Sequence, residues 1–374
     1  GAPRRPRTLH IAVETGSGVA AVIADHMANM ADYEHHLLVS LDMNCQIGEH
    51  FERLAASVTE LPPGHGPKIR RLRDATRTLQ PDIIHAHSSH AGAYARAALG
   101  RRWQPRIVYT PHCYAFERTD VGRSMRAAFW LVEAALSFRG GQVAACSPLE
   151  TSQARSLPGR QRVSYVPNVG RVPEGTWERA PGDGVVRVTA AGRLAAQKAP
   201  SLFAEAALRS RQAGQPTEWM WIGGGNERQE SVLRDAGVKV TGWLARDEAL
   251  LLLAGSHLYV HTASWEGAPM TILEAAAAGV PVLARRNPAM EALGVEPLFD
   301  SVDQLMDLIG QFPDGAAMTL ARQCGERLRS SHTDETQHQA LQGVYGHVPP
   351  VTTAASPANS PANSPAEHPS VARS

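Results

Sequence analysis

Two patterns of apolar and polar positions alternate along the first half of the chain. Short β-branched runs are each followed by a longer, alanine-rich stretch in which apolar residues recur at helical spacing. This alternation predicts a parallel sheet with helices on both faces. The predicted strands lie in TLHIAV, HHLLVSL, DIIHAH, RIVYTPH, QVAACS and RVSYVPN, and helices are predicted from about Val19, in AGAYARAAL and in RSMRAAFWLVEAALSF.

The same alternation starts again in the second half, which predicts a second sheet of the same kind. Its predicted strands lie in VVRVTAAG, TEWMWIGGG, VKVTGW, HLYVHTAS and VPVLARR, with helices at 199–212, 227–236, 247–253 and 271–278. The fold class predicted from these patterns is α/β, with two Rossmann-like, doubly wound domains facing a central cleft. In such sheets ligands bind beyond the carboxyl ends of the strands, which both border that cleft.

Changes in composition mark where the domains begin and end. The stretch GRVPEGTWERAPGDG is rich in proline and glycine and has no apolar period, so it predicts an interdomain linker. The repeat SPANSPANSPAE has almost nothing to bury, so it predicts disorder. The predicted division is a flexible N-terminus at 1–7, a domain at 8–170, a linker at 171–184, a domain at 185–330, a C-terminal helix at 331–348 for which a return to the first domain is left open, and a disordered tail at 349–374.

Composition narrows the class of protein. The 374 residues are 43% hydrophobic and 20% charged, and no apolar run is long enough to cross a bilayer. The four cysteines are scattered without a CxxC pair, which predicts a reduced, cytoplasmic protein. The N-terminal half is basic and the C-terminal half acidic, within a net charge of +1. A basic half can face an anionic acceptor or the inner face of a membrane, but a solvated arginine-rich surface explains it equally well; nucleic acid is not expected as a partner.

Glycines and polar residues follow the predicted strands of the second half. They lie at Gly192, at 223–226, at Gly242 and Trp243, and at 262–267. Glycine lets the backbone approach a ligand closely, and a helix that starts just after it offers free N–H groups to a phosphate. One such cluster is usually a plain turn, but four at the same edge of a sheet favour a binding site.

Two cations flank the first of these loops. The chain has three lysines, and one of them, Lys198, follows Arg193 in the turn GRLAAQKAP. A guanidinium fork and an ammonium group beside a loop suit a diphosphate, although either residue alone could be an ordinary surface charge.

Two carboxylates follow in EGAPMTILEAAAAGVPVLA. Glu266 is placed in a loop and Glu274 in a helix that Pro269 can open. Their spacing does not favour a general acid and base pair. We expect Glu266 to accept hydrogen bonds from a sugar and Glu274 from a ribose diol, while the N–H groups around 268–271 meet phosphate.

The stretches AAGRLAAQKAP and SWEGAPMTILEAAAAGVPVLA resemble the donor-binding signature of family 4 retaining glycosyltransferases of the GT-B fold. The resemblance extends more weakly over residues 8–345. It implies an acceptor-side first domain, a nucleotide-sugar-binding second domain, and transfer of a sugar to a hydroxyl with retention of configuration. It also implies no cofactor and no metal, since the nucleotide-diphosphate sugar is a co-substrate and the chain has no DxD motif.

The resemblance also assigns roles to individual residues. His112, in YTPHCYAF, matches the family's active-site histidine, with a buried structural histidine as the alternative. The expected catalytic residues are His112, Arg193, Lys198 and Glu266. The expected donor-binding residues are Gly16, Ser17, Gly18, Gly192, Arg193, Lys198, Gly223, Gly224, Trp243, Leu244, Glu266, Gly267, Ala268, Pro269, Met270, Thr271 and Glu274.

Three histidines in HAHSSHAG, at a strand end, allow several interpretations. We expect His85, His87, Ser88 and His90 to line the acceptor side; zinc binding and a purely structural role are the alternatives. The acceptor is expected to be a glycan or a lipid-linked glycan of bacterial cell-surface assembly, and the nucleotide can be UDP or GDP. A natural-product glycosyltransferase, a sugar-nucleotide epimerase or phosphorylase, and a binding subunit without turnover remain alternatives.

Overall fold

The computed structural model describes residues 4–13, 17–40, 49–173, 177–178 and 182–348. The predicted tail at 349–374 and parts of the predicted N-terminus and linker lie outside these residues. Two parallel sheets organise the chain, as expected from the sequence.

The first sheet has seven strands in the order β3-β2-β1-β4-β5-β6-β7, and every neighbouring pair is parallel. Its strands are β1 Arg7–Ala12, β2 Glu34–Val39, β3 Ser57–Glu60, β4 Ile83–His87, β5 Ile107–Thr110, β6 Gln142–Ala145 and β7 Arg162–Tyr165. Its helices are α1 Ser17–Asn29, α2 Glu49–Leu54, α3 His65–Leu79, α4 Ser88–Ala98, α5 Arg123–Ser137 and α6 Pro148–Ser156.

The second sheet has six strands in the order β10-β9-β8-β11-β12-β13, again parallel throughout. Its strands are β8 Val186–Ala191, β9 Thr217–Ile222, β10 Lys239–Val240, β11 Leu258–His261, β12 Val282–Arg285 and β13 Leu298–Phe299. Its helices are α7 Pro200–Gln212, α8 Glu227–Asp235, α9 Arg246–Ala254, α10 Met270–Ala277, α11 Pro288–Leu293, α12 Val302–Ile309 and α13 Ala316–Ser331.

The central strands of each sheet are buried on both faces, which is why they read as apolar runs. In the second domain one apolar layer packs around Phe203 and Trp221 and the other around Tyr259 and Ile272, on opposite faces of the sheet. In both domains the order of strands reverses beside the first strand, so β1 and β4, and likewise β8 and β11, border a crevice at their carboxyl ends.

The last helix, α14 (Asp334–Gly346), packs against the first domain. Its Leu341, Val344 and Tyr345 join a core cluster with Ile83 and Val108 of the first sheet. Side-chain amides reinforce this packing, because Gln142 Nε2 donates to the carbonyl of Val344 and Gln337 Nε2 to that of Pro167. The chain thus returns to the first domain after completing the second.

Candidate active site between the two sheets

The carboxyl-end loops of the two sheets meet. A Cβ atom on Gly267 would lie 2.7 Å from the backbone nitrogen of Cys113, and one on Gly18 would lie 3.9 Å from Met270 Cγ. Asn168 Nδ2 also donates to the carbonyl of Ala268 across the same boundary, at 3.3 Å. The glycine at 267 is therefore required for close approach of the loop that carries His112. The loops that carry His112 and Glu266 thus border one site.

The glycine loops after β8 and β9 are stacked on one another. Gly192 N donates to the carbonyl of Ile222 at 2.9 Å, and Leu194 N donates to that of Gly224 at 2.9 Å. A Cβ on Gly223 would overlap the carbonyl oxygen of Gly192, and both glycines have positive φ, 130° and 140°. A side chain at either position would separate the loops, so the glycines are required by local packing as well as by any ligand.

Lys198 is turned inward at the end of a short 3₁₀ helix, Ala196–Lys198. Its aliphatic stem lies over Gly192, where a Cβ would be 3.1 Å from Lys198 Cε. The segment is tied to the loop after β11, because Thr262 Oγ1 donates to the carbonyl of Lys198 at 2.6 Å and Gln197 Nε2 to that of Trp265 at 3.0 Å. These bonds place the ammonium group against the carboxylate of Glu266, with which it forms an ion pair.

Glu266 is buried and held as a carboxylate. Burial opposes its ionisation, but the Lys198 ammonium and His261 outweigh that effect and hold the pKa of Glu266 at about 2. His261 Nε2 lies 3.5 Å from Glu266 Oε1, and burial lowers the pKa of this imidazole. The sequence pattern did not single out His261, since a histidine at the end of a buried strand carries no local signal.

Glu274 has a partner that the sequence analysis missed. It lies in α10, one turn beyond Pro269, and Arg246 Nη2 at the start of α9 donates to its Oε1 at 2.7 Å. Burial raises the pKa of Glu274, and Arg246 partly offsets the rise. Arg246 lies just after the predicted donor-binding residues Trp243 and Leu244 and is 41% exposed, so only its pairing in three dimensions distinguishes it from a surface charge.

The remaining predicted donor-side residues differ in burial and in the domain from which they come. Arg193 is exposed, while Trp243 is 45% exposed and lies beside Gly224, where a Cβ would be 3.3 Å from Trp243 Cδ1. Leu244 packs on the core, and Thr271 Oγ1 accepts a hydrogen bond from Tyr259 at 2.7 Å. Gly16 lies outside the described residues, and Ser17 is the first residue of α1.

On the opposite side, the loop after β5 carries His112 in an unusual conformation. His112 and the next residue, Cys113, both have positive φ, 53° and 88°, which costs energy for residues with a side chain. The carboxylate of Glu150 accepts a hydrogen bond from Cys113 N, and accepts others from the backbone nitrogen and thiol of Cys146, at 3.0 and 3.1 Å. Burial raises the pKa of Glu150. This carboxylate, which the sequence analysis missed, holds the strained loop in place.

The structure corrects the expectation that His85 and His87 line an open acceptor side. Both side chains are fully buried, because they alternate with Ile84 and Ala86 on the central strand β4, which is covered on both faces. Ser88 is partly buried at the start of α4, and His90 is exposed and faces His65 and Tyr94 instead. The three histidines of HAHSSHAG therefore do not converge.

A different trio, His10, His85 and His87, brings ring nitrogens within 4.8 Å of one another. Two observations show that these residues do not fit a zinc ion. The rings of His85 and His87 are stacked, with centroids 4.2 Å apart and an interplanar angle of 24°, so their lone pairs run side by side. All six ring nitrogens also have hydrogen-bonding partners in the protein.

Within the part of the chain that the structure describes, no helix is both long and apolar enough to cross a membrane.

Comparison with known families divides the chain as the two sheets do. The family model described as "Glycosyl transferase 4-like domain" matches residues 17–169, and the one described as "Glycosyl transferases group 1" matches residues 186–311. Together the two models cover most of the chain.

A relative from Escherichia coli is 28% identical over 223 residues. It is named UDP-Gal:alpha-D-GlcNAc-diphosphoundecaprenol alpha-1,3-galactosyltransferase, and the match covers 54% of this chain and 57% of that protein. The chain therefore aligns with little more than half of the length of this relative.

Two solved structures share the whole architecture at low identity. HepE from Anabaena, solved in complex with UDP-glucose, superposes with a TM-score of 0.71 at 18% identity, covering 91% of this chain and 99% of HepE. Sucrose-phosphate synthase from Thermosynechococcus elongatus superposes with a TM-score of 0.72 at 15% identity, covering 91% and 98%. Likeness at this level of identity establishes the fold.

Proposed function

The chain belongs to the family 4 type of GT-B glycosyltransferases, and on that premise we propose that it transfers a hexose from a nucleoside-diphosphate sugar to an acceptor hydroxyl with retention of configuration. The observation that carries the proposal is the inward-facing pair of Lys198 and Glu266. It lies beside two stacked glycine loops and opposite His112, where a diphosphate and its sugar have both charge and backbone partners.

The proposed chemistry rests on stabilising the leaving diphosphate. Negative charge grows on that group as the glycosidic bond breaks, so cations and free N–H groups fixed beside it lower the barrier. Lys198 supplies the fixed cation, Arg193 an exposed one, and the start of α10 at Met270 supplies N–H groups. Glu266, held as a carboxylate, accepts hydrogen bonds from sugar hydroxyls. No cofactor or metal is needed in this scheme.

We assign the donor to the UDP-linked class. HepE was solved with UDP-glucose and the E. coli relative is named for UDP-galactose, and both observations favour uridine over guanosine. Trp243 and Leu244 border the place where a base would stack, and Glu274 is buried in the adjoining helix where a ribose diol would lie.

For the acceptor, we infer a lipid-linked glycan presented at an anionic membrane surface. Helix α5 exposes large apolar side chains: Met125 is 50% exposed, Leu131 62%, Val132 52% and, just after the helix, Phe138 65%. Arginines lie at both ends of this stretch, at 123 and 139, as expected for a helix that sits in a lipid interface. The helix follows the His112 loop in sequence and packs against it through the 3₁₀ turn Ala115–Glu117, and the relative's name specifies a diphosphoundecaprenol substrate.

The test of the transfer is a donor panel with product analysis. Purified protein is incubated with UDP- and GDP-linked hexoses and a short-chain lipid diphosphate glycan, and the anomeric configuration of the product is read by NMR. We expect transfer from a UDP-hexose with retention, unaffected by EDTA. An epimerised nucleotide sugar would favour the epimerase alternative, and binding without turnover the non-catalytic one. Inversion, or activity lost to EDTA and restored by Mg²⁺, would contradict the proposed mechanism.

The membrane inference has its own test. Sedimentation with phosphatidylglycerol vesicles is compared with phosphatidylcholine vesicles for the wild type and for the double variant Leu131→Gln/Phe138→Gln. We expect the wild type to bind the anionic vesicles and the double variant to lose this binding. Val232→Gln is the control, because Val232 is an exposed apolar residue on α8 of the other domain. Equal loss in the control, or no binding by the wild type, would contradict the inference.

A further inference from the structure

Buried imidazoles form an unbroken line of hydrogen bonds that ends at His112. His35 Nε2 lies 2.9 Å from the carbonyl oxygen of Met30, and His35 Nδ1 lies 3.1 Å from His10 Nε2. The line continues from His10 Nδ1 to His87 Nε2 at 3.2 Å, and from His87 Nδ1 to His112 Nε2 at 3.1 Å. Three of these rings come from neighbouring strands of one sheet, at β2, β1 and β4.

The first member of the line sets its direction. A carbonyl oxygen can only accept, so the proton of His35 must be on Nε2 and its Nδ1 must be bare. The bare nitrogen requires an N–H from His10 Nε2, which leaves His10 Nδ1 bare in turn. By the same step His87 carries its proton on Nε2, and its Nδ1 accepts from His112.

This deduction holds only if each ring is neutral, and the surroundings favour that state. Burial lowers the pKa of His10 and of His87 well below the usual range, and lowers that of His112 to about 4. Burial also lowers the pKa of His35, against the opposing effect of the Met30 carbonyl. At neutral pH each ring therefore carries one proton.

We propose that the line His35, His10 and His87 fixes His112 as the Nε2–H tautomer, so that His112 presents a bare Nδ1 to the site between the domains. His112 is only partly buried, and its Nδ1 has no partner among the described residues. Of the four, His112 is the residue that can touch substrate, and the other three are positioning residues that act through it.

The line is a device for fixing a tautomer rather than a path for net proton transfer. If a proton bound at His112 Nδ1, it could travel along the line only if each ring passed its own proton to the next ring, as far as His35. The proton on His35 Nε2 would then have to leave. The Met30 carbonyl there cannot bind it, and His35 is 3% exposed, so solvent does not receive it either. In the resting enzyme each ring therefore keeps its proton on the same nitrogen.

The consequence for the reaction rests on the proposed function. A bare Nδ1 accepts a hydrogen bond from a hydroxyl, of the transferred sugar or of the acceptor, and cannot donate one to a phosphate oxygen. The tautomer itself follows from contacts within the protein and stands whether or not the chain transfers sugar.

The direct experiment is NMR of the free protein labelled with ¹⁵N in its histidine rings. Correlations between ring nitrogens and ring carbon protons distinguish a protonated from a bare nitrogen, and the variant His112→Gln identifies the signals of His112 by their loss. We expect a protonated Nε2 and a bare Nδ1 for His112 at pH 7.5. A protonated Nδ1, or averaging of the two nitrogens, would overturn the inference.

Variants at His87 test how the tautomer is held. His87→Leu removes the acceptor, so the His112 signals should become averaged or shift to the Nδ1–H form. His87→Asn returns an amide oxygen near the position of Nδ1 and should restore the Nε2–H form. Tyr345→Phe is the control, because it removes a hydroxyl bonded to the neighbouring His85 at 2.9 Å but touches no member of the line. A tautomer unchanged in His87→Leu would refute the role of the line even if that variant were inactive.

Kinetics separate this inference from the proposed function. If transfer is confirmed, His87→Leu should lower kcat by roughly tenfold or more with donor KM within about threefold, and His87→Asn should recover most of the loss. Parallel losses in both variants, or a loss confined to KM, would indicate a merely structural role. If no transfer is found, the NMR result still decides the tautomer.

Discussion

The site has two edges, one formed by residues of each domain. The two edges stabilise their buried polar groups in opposite ways. On the edge from the first domain, the rings of His10, His85 and His87 are buried without charge. His10 and His87 hydrogen-bond to each other, and His85 hydrogen-bonds to the hydroxyls of Tyr345 and Thr110. On the edge from the second domain, Glu266 and Glu274 are buried as members of ion pairs, with Lys198 and Arg246. Burying an unpaired charge costs far more than burying a satisfied neutral group.

This difference indicates how the work is divided between the domains. Charge is concentrated on the edge where a diphosphate would bind and where charge would change during the reaction, and there the ion pairs leave cations close to it. The other edge is neutral, and its order comes from the direction of its hydrogen bonds. Such an edge is suited to placing a neutral sugar or acceptor hydroxyl, and it depends on its rings staying uncharged.

A fall in pH should have the largest effect, and it should affect the stability of the two edges differently. Because burial holds the pKa of His10, His85 and His87 well below 6.5, and that of His26 at about 3, the unfolded chain binds protons below pH 6.5 that the folded chain does not. Stability therefore falls as the pH drops below 6.5, by about 1.4 kcal/mol per pH unit for each ring that stays neutral. Because several rings share this behaviour, the loss should become a substantial part of a typical total stability of ~5–15 kcal/mol as the pH falls further.

The carboxyl groups modify this expectation in a known direction. Burial raises the pKa of Asp25 and Glu150 in the first domain, so their protonation offsets part of the loss in acid. Glu266, with its pKa at about 2, contributes stability that is lost only below the unfolded value near ~4.3.

Hydrogen exchange measured peptide by peptide from pH 7 to 4.5 should show β1 and β4 losing protection before β8 and β11. Simultaneous loss in both sheets would contradict the contrast between the edges.

The second largest effect should come from the charged edge. Under the proposed mechanism, Lys198→Ala removes the fixed cation beside the leaving diphosphate. The barrier measured by kcat/KM should then rise by about 2 to 4 kcal/mol, with a loss in kcat as well as in donor affinity. The variant also leaves the buried carboxylate of Glu266 without its ion-pair partner, which destabilises the fold. The double variant Lys198→Ala/Glu266→Gln should recover stability without recovering kcat.

Steady-state kinetics and thermal unfolding of the single and double variants measure both effects. Lys239→Ala is the matched control, since Lys239 is an exposed lysine of the same domain and forms no ion pair within the described residues. Glu266→Gln alone should reduce kcat less than Lys198→Ala does, because it alters a sugar contact and leaves the cation in place. A near-wild-type kcat and donor KM for Lys198→Ala would show that the lysine has only a structural role.

How far the sequence predicted the fold depended on the strength of local patterns. Strands such as β1, β4 and β8 are apolar runs bounded by turns, and they lie where the pattern placed them. The short edge strands β3 (Ser57–Glu60) and β13 (Leu298–Phe299) were missed. The first is mostly exposed and polar and the second has two residues, so neither carries a period that can be read.

For the site, local motifs revealed some residues and concealed others. Glycine loops and the spacing of Glu266 and Glu274 can be read along the chain, because the chemistry is encoded within a few residues. Partners brought together by the fold cannot be read in this way. His10 and His35 join His87 only because β2, β1 and β4 lie side by side. Glu150 reaches Cys113 from α6, beyond the intervening α5 and β6, and Arg246 reaches Glu274 across a helix pair.

The smallest effect, and the one that sharpens the comparison most, concerns Glu274. If it accepts hydrogen bonds from a ribose diol, the contact is equally strong in the ground state and the transition state, so its loss weakens binding without slowing the chemistry. Glu274→Gln keeps the shape of the side chain and one acceptor oxygen, and it should raise the donor KM about fivefold, or ~1 kcal/mol, with kcat near the wild-type value.

Arg246→Gln distinguishes the ribose contact from the ion pair. Burial raises the pKa of Glu274 and Arg246 opposes that rise, so without the arginine more of Glu274 is protonated as the pH falls. The donor KM of Arg246→Gln should therefore rise more steeply with falling pH than that of the wild type, while Glu274→Gln should show no such extra slope. If both variants lowered kcat with unchanged KM, Glu274 would act in the transition state, and the charged edge could not be divided into a binding part and a catalytic part.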